Sequence, residues 1–320
     1  MQLANEHQLQ SVKRTSVKRP YPVVLAHGIL RPDILFHMAS SWLKNPLYDV
    51  HGALDRFHYF SGICSHLNAR GIEAYTSRVS FTGSLKTRSN DLKTSILKIL
   101  SETGHKKVHI IGHSMGGLDA RHMITVGGMA GKVASLTTIG TPHRGAYIID
   151  WALENGGGKV LNVLNSLFST DGFRDLTTDN LSQFNERIRH RESKNNVRYQ
   201  TYSCSQEMEQ VFLPLQVTWK VIYERKGAND GLVSEKSQRW NRKLTSNAGI
   251  EKKIKQRKFP TRGDHLDQIA WCGIEELDLL KIWNWFNSES AQSPSMEIRE
   301  IYCNIAEDIQ SHLTRSKPLN

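Results

Sequence analysis

The stretch "VHIIGHSMGGLDARH", residues 108–122, sets one serine between two glycines where an apolar run gives way to a helical pattern. A serine hydroxyl is a poor nucleophile unless a base takes its proton and its oxygen is held clear of the backbone. A sharp strand-to-helix turn does the second job, but it strains the serine and crowds the residues two positions either side. Gly112 and Gly116 remove the side chains that would collide, so Ser114 is the candidate nucleophile and the segment reads as a nucleophile elbow. Helix entry directly after the serine also aims backbone N–H groups at the place where negative charge develops. G-x-S-x-G arises by chance and in incidental Gly-rich turns. Its context here is what gives it weight: KVHII before it is patterned as a strand, and LDARHMITV after it as a helix.

Working outward, PVVLAHG reads as a short buried strand ending at a turn, and FHYFSGICSHL (57–67) as a helix stopped by Gly71. IEAYTSRVS alternates like a strand, and TRSNDLKTSILKILSETG follows as a helix closed by Gly104. KKVHIIG, VASLTTIG and WKVIYERKG add strands, with MGGLDARHMITV as the helix between the first two. This alternation predicts an α/β fold, a mostly parallel central sheet of about six strands with helices on both faces. Residues 1–19 read as a disordered basic arm and 20–288 as the main domain. Within it, 146–202 breaks the rhythm and reads as a helical lid or cap insertion. Val160, Leu161, Val163, Leu164, Leu167 and Phe168 form its apolar stripe, preceded by Gly156, Gly157 and Gly158. Residues 289–320 carry Ile298, Ile301, Tyr302 and Ile305 at helical spacing, a terminal amphipathic helix with Ser295 as its expected cap.

Composition bounds the function classes. The chain has 320 residues, of which 38% are hydrophobic, enough for one large core. No window approaches the roughly 18 to 20 apolar residues of a membrane-spanning helix. The first twenty residues lack the apolar region of a secretory signal, so the expectation is a cytoplasmic protein or one exported without a cleavable signal. Cys64, Cys204, Cys272 and Cys303 are far apart, which points to neither a zinc site nor a disulfide framework. The net charge of +11 is concentrated in the N-terminal arm and between Lys236 and Arg262. Those basic residues are not interleaved with aromatics, so nucleic acid is not an expected partner. Peripheral contact with an anionic membrane surface is the alternative use for such a stretch.

An elbow of this kind calls for an acid and then a histidine downstream. Asp230, in ANDGLVS beyond VIYERKG, and His265, in KFPTRGDHLDQIA, stand in that order. Asp230 would fix the imidazole tautomer while His265 takes the Ser114 proton and passes it to the leaving group. Asp171, Asp175 and Asp264 compete as acids, and His113, His122 and His143 as bases, with His113 and His122 too close to the elbow in sequence to reach back to Ser114. For the oxyanion, one donor is the Met115 N–H and the second the Ile29 N–H, in the loop AHGIL after the first strand.

Taken in order, YPVVLAHGIL, VHIIGHSMGG, TTIGTPHRG, ANDGLV and DHLDQI resemble the sequence blocks of bacterial triacylglycerol lipases of the Pseudomonas and Burkholderia type, within the α/β-hydrolase superfamily. The resemblance spans 21–273 in blocks. It implies a Ser114, Asp230, His265 triad, an oxyanion hole of Ile29 and Met115, and a lid beginning at Ala146. The same family binds a structural calcium near its histidine loop. Asp267 matches one ligand position, but Trp271 stands where the family has glutamine and the other acidic ligand has no clear counterpart, so no cofactor is expected. The resulting expectation is a serine carboxylester hydrolase, a lipase or esterase acting on lipidic acyl esters through an acyl-enzyme. A phospholipase or acyltransferase using the same triad is the alternative, and a non-catalytic interaction protein on a hydrolase scaffold the rival class. Acyl chain, alcohol and oligomeric state are left open.

Overall fold

The structure is a computed structural model that describes residues 19–29, 59–80, 83–156, 160, 164, 170–272 and 294–314. Its centre is a six-stranded sheet in the order β2-β1-β3-β4-β5-β8 with every neighbouring pair parallel. The strands are β1 (Val23–Ala26), β2 (Ala74–Thr76), β3 (Val108–His113), β4 (Val133–Ile139), β5 (Arg198–Ser203) and β8 (Lys255–Lys258). A separate antiparallel hairpin joins β6 (Lys243–Thr245) to β7 (Glu251–Lys253). The expected sheet of about six strands is present.

Central strands are apolar on both faces because both are covered. Val23 and Leu25 of β1 join one core with Ile111, Ile139 and Tyr202. Their neighbours Val24 and Ala26 join a second core with Ile110, Leu136 and Tyr199. On the first face lie α1 (Ile63–Ala69) and α7 (Pro294–Thr314), through Ile63, Leu67, Ile298, Ile301 and Tyr302. On the second lie α2 (Leu85–Thr103) and α3 (Met115–Thr125), through Leu92, Ile96, Ala120 and Met123. Ser84 caps α2, and Gly104, at φ 72°, ends it.

Three readings of the sequence need correction. WKVIYERKG is not a strand: it is the last part of α6 (Leu213–Lys226), which buries Leu215, Thr218, Trp219 and Ile222 on one side and carries Pro214 in its first turn. The strand that fills this place in the sheet is β5, RYQTYS, inside the predicted insertion. What remains of that insertion includes α4 (Tyr147–Asn155) and α5 (Thr178–Lys194), with Val160 and Leu164 buried in the first core. Residues 157–159, 161–163 and 165–169, which hold the rest of the expected stripe together with Gly157 and Gly158, lie outside the described residues. The helix expected over 57–67 starts only at Ile63, after Gly62 at φ 64°. At the other end α7 begins at Pro294, which puts Ser295 in the first turn rather than at the cap. Most of the N-terminal arm, 1–18, is also outside the described residues.

The basic stretch resolves into the β6–β7 hairpin and β8. Lys252 Nζ donates to Asn195 Oδ1 at 2.8 Å and Val197 O at 3.2 Å, immediately before β5 begins. The hairpin therefore sits at the amino-terminal end of the sheet, with Arg242, Lys243, Lys253 and Lys255 exposed.

A buried polar hub ties α3 to α5. Arg121 donates from Nε and Nη2 to the two Glu192 oxygens at 2.8 and 3.0 Å, and its guanidinium lies 4.1 Å from the Trp240 ring centroid. Both side chains are fully enclosed, at 1% and 0% exposure, so neither charge can turn to water if its partner is lost. Glu192→Ala should cost about 3–5 kcal/mol, read as a lower midpoint in urea unfolding with the slope unchanged.

Candidate active site

Ser114 sits between β3 and α3 at φ 54° and ψ −132°, one of two non-glycine residues with positive φ among those described. Its N–H donates to Ile139 O at 2.9 Å, and Thr141 Oγ1 donates to its carbonyl at 2.8 Å, so neighbouring strand and loop hold the strained residue from both sides. The two flanking glycines are needed for space. A Cβ on Gly116 would sit 2.1 Å from Ala26 O, and one on Gly112 would sit 2.8 Å from the Gly117 Cα. The crowding thus comes from β1 as well as from the turn itself.

Asp230 and His265 meet across 35 residues of sequence. His265 Nδ1 lies 2.8 Å from Asp230 Oδ2, and His265 N–H donates to Asp230 O at 2.8 Å. The carboxylate cannot donate, so Nδ1 carries the proton and Nε2 is the nitrogen left to act as base. Asp230 follows a helix rather than a strand, but its loop still lies beyond the carboxyl end of β5: Gln206 N–H donates to Asn229 O at 3.0 Å. The remaining Asp230 oxygen, Oδ1, accepts from the Leu232 and Val233 N–H groups at 3.1 and 2.7 Å. Gln238 and Gln268 each add an Nε2 donor to Oδ2, at 3.0 and 2.9 Å. Sequence reasoning missed both glutamines.

The competing residues are engaged elsewhere. Asp264 uses its carboxylate to accept the Phe212, Leu266 and Asp267 N–H groups, and Asp175 accepts that of Leu85. The Asp171 side chain is outside the described residues. His122 Nδ1 pairs with Ser89 Oγ at 2.8 Å, and His143 lies stacked on Trp240. His113 does come close: its ring centroid is 4.6 Å from that of His265, and burial holds its imidazole well below the ordinary range.

For an oxyanion, the first amides of a helix have no intrahelical acceptor, and Met115 N–H opens α3. Ile29 is buried beside the elbow, and its loop is held by two residues that the sequence did not single out. His27 Nδ1 donates to Gly28 O at 2.8 Å, which in a trans peptide turns the Ile29 N–H the opposite way. Arg88 Nη2 donates to His27 O at 2.7 Å while pairing with Asp119 Oδ2 at 2.7 Å. Burial, then the Arg88 charge, lowers the His27 pKa to about 4, so the ring is neutral when it makes its bond.

Two side chains at the histidine loop bear on the calcium expectation. Asp267 Oδ2 accepts the Asp264 N–H at 2.8 Å, and Trp271 Nε1 donates to Tyr59 O at 3.0 Å, offering no oxygen to a hard cation. Among the described residues one His/Cys/acid group is compact enough for a metal: His66, Glu300 and Cys303, between α1 and α7. Arg70 already takes Glu300 at 3.0 Å there.

A family profile described as the PGAP1-like alpha/beta domain matches residues 77–214. The chain is 28% identical to triacylglycerol lipase 2 of Saccharomyces cerevisiae across 96% of this chain and 97% of that one. It is 34% identical to a triacylglycerol lipase of Burkholderia plantarii, over 42% of this chain and 33% of that one, so the match spans about a third of the bacterial protein. Among solved structures it is similar to lipase 1 from Pelosinus fermentans, with a TM-score of 0.55, 17% identity and coverage of 91% and 98% of the two chains. The parallel six-stranded sheet, the elbow and this structural likeness establish the α/β-hydrolase fold.

Because backbone amides and side chains already satisfy the histidine loop, its stability should not depend on a cation. The melting temperature measured in millimolar EGTA should match that in millimolar calcium; a rise of several degrees with calcium would mean a metal site has been overlooked.

Proposed function

We propose that this α/β-hydrolase-fold chain is a serine carboxylester hydrolase, a lipase or esterase in which Ser114, His265 and Asp230 form the triad. The single observation that carries the assignment is the 2.8 Å contact from His265 Nδ1 to Asp230 Oδ2, which frees Nε2 for an elbow serine at φ 54°. The chain is a carboxylic ester hydrolase by its likeness to triacylglycerol lipases, in yeast along nearly its whole length. Five ordered sequence blocks support a likeness to the Pseudomonas and Burkholderia type. The substrates are lipidic acyl esters, and no metal takes part.

Ser114 Oγ attacks the ester carbonyl carbon as His265 Nε2 takes the hydroxyl proton. The oxygen that becomes negative is held by the Met115 and Ile29 N–H groups. Collapse of the tetrahedral species breaks the ester C–O bond; the leaving alkoxide takes the proton from His265, and the acyl group stays on Ser114. Water then repeats the sequence with His265 as its base. Asp230, already held by its own donors, keeps the imidazole in one tautomer throughout.

Peripheral contact with anionic membranes belongs to this proposal only in a restricted form. The exposed basic hairpin lies at the opposite end of the sheet from Ser114, so it does not present the active site to a surface it binds.

Ser114→Ala should lower turnover of a p-nitrophenyl ester by about four orders of magnitude or more and abolish labelling by a fluorophosphonate. Retained wild-type turnover would overturn the assignment. Activity should also fall on acidification, since a protonated His265 cannot accept the Ser114 proton; a folded enzyme whose rate did not fall on acidification would contradict the base.

A further inference from the structure

We propose that Tyr59, His113 and Gln268 form a second hydrogen-bonded line that meets the triad at Asp230 and tunes how strongly Asp230 supports His265. It rests on the triad reading above and assigns three positioning residues, none of which touches the reacting atoms.

The two outer links are direct contacts. Tyr59 OH lies 2.8 Å from His113 Nδ1. Gln268 Nε2 donates to Asp230 Oδ2 at 2.9 Å. Between them, Gln268 Oε1 and His113 Nε2 stand at the same glycine: a Cβ on Gly140 would lie 2.2 Å from the first and 3.3 Å from the second. Both atoms are buried and neither is hydrogen-bonded, which leaves each as the other's natural complement and the link between them as the inferred step. That complementarity fixes the proton positions. With Tyr59 donating to Nδ1, His113 carries its hydrogen on Nε2, toward the Gln268 oxygen, and the glutamine amide is then forced to turn its NH₂ to Asp230. Burial keeps His113 neutral, which matters because its ring packs 4.6 Å from the ring that becomes an imidazolium during turnover.

The backbone anchors the two ends. Trp271 Nε1 donates to Tyr59 O and Tyr302 OH donates to Gln268 O, each at 3.0 Å. Asp230 Oδ2 consequently receives three donors, from His265, Gln238 and Gln268. Donors shared on one oxygen weaken each other as acceptor capacity is divided, so each glutamine makes Asp230 a milder partner for His265. The other titratable groups near this pair, among the described residues, are Cys204 at the end of β5 and Asp264 and Asp267 in the histidine loop. Burial raises the Cys204 and Asp264 pKa values, and none of the three lies on the line.

The test is the acid limb of kcat/KM against pH for a p-nitrophenyl ester, with melting temperature as the check on folding. Gln268→Leu removes one donor from Asp230, so His265 should hold its proton more tightly and the limb should move up by about half a unit, about threefold less activity on the acid side. Tyr59→Phe should move it the same way by freeing the His113 tautomer and with it the amide orientation. The Tyr59→Phe/Gln268→Leu double variant should match Gln268→Leu alone, because both act through one contact. Gln268→Glu, which brings a second carboxylate to Asp230, should move the limb further and serves as the second probe if Tyr59→Phe does not fold. A folded Gln268→Leu enzyme with a limb within about 0.1 unit of wild type would overturn the proposal, as would additive shifts in the double variant. If Ser114→Ala keeps its activity the triad itself is wrong; if it is inactive and the limbs coincide, only the second line is.

Discussion

Everything at the site depends on how closely α3 can approach β1. The 2.1 Å that would separate a Gly116 Cβ from Ala26 O means that helix and strand meet backbone to backbone, with no room for the smallest side chain. That approach sets the start of α3 against the loop after β1, which is where two amides from different segments must converge on one oxygen. It also makes Ser114 the residue that absorbs the bend, at φ 54°, and the surrounding hydrogen bonds to Ile139 and Thr141 are what keep the bend from relaxing.

Around this contact the polar groups are layered. Arg88 and Asp119 hold the loop after β1, and Arg121 and Glu192 hold α3 to α5. Both pairs are buried, so removing either partner alone would strand a charge, whereas the intact pairs fix orientation more than they add stability. Asp230 illustrates the same logic at the reacting end. It accepts two backbone amides and three side-chain donors, and each donor defines where the carboxylate can point.

Much of this was legible beforehand, and the misses have physical causes. The alternating apolar runs and glycine stops of β1 to β4 were clear because both sheet faces are covered by apolar helices. β5 was hidden because RYQTYS buries hydrogen-bonded polar side chains beside its two tyrosines: Gln200 donates to Thr137 Oγ1 and Thr201 to Gln238 O. WKVIYERKG misled for the converse reason. Its apolar residues look like a strand when read alone, and the helix appears only with Leu215 four positions before Trp219 and Pro214 in the first turn. The proposed order Ser114, Asp230, His265 could be read from motifs, since each lies in a short recognisable block. Gln238, Gln268, Tyr59 and Arg88 could not, because their roles arise from contacts between segments far apart in the chain.

The hairpin of β6 and β7 gives the molecule a directional charge. Lys243 and Lys253 are exposed at the end of the sheet where strands begin, while Ser114 lies where β3 finishes. An anionic surface gripped by this hairpin would therefore lie against the end of the sheet away from Ser114, leaving the end that carries Ser114 turned to the solution.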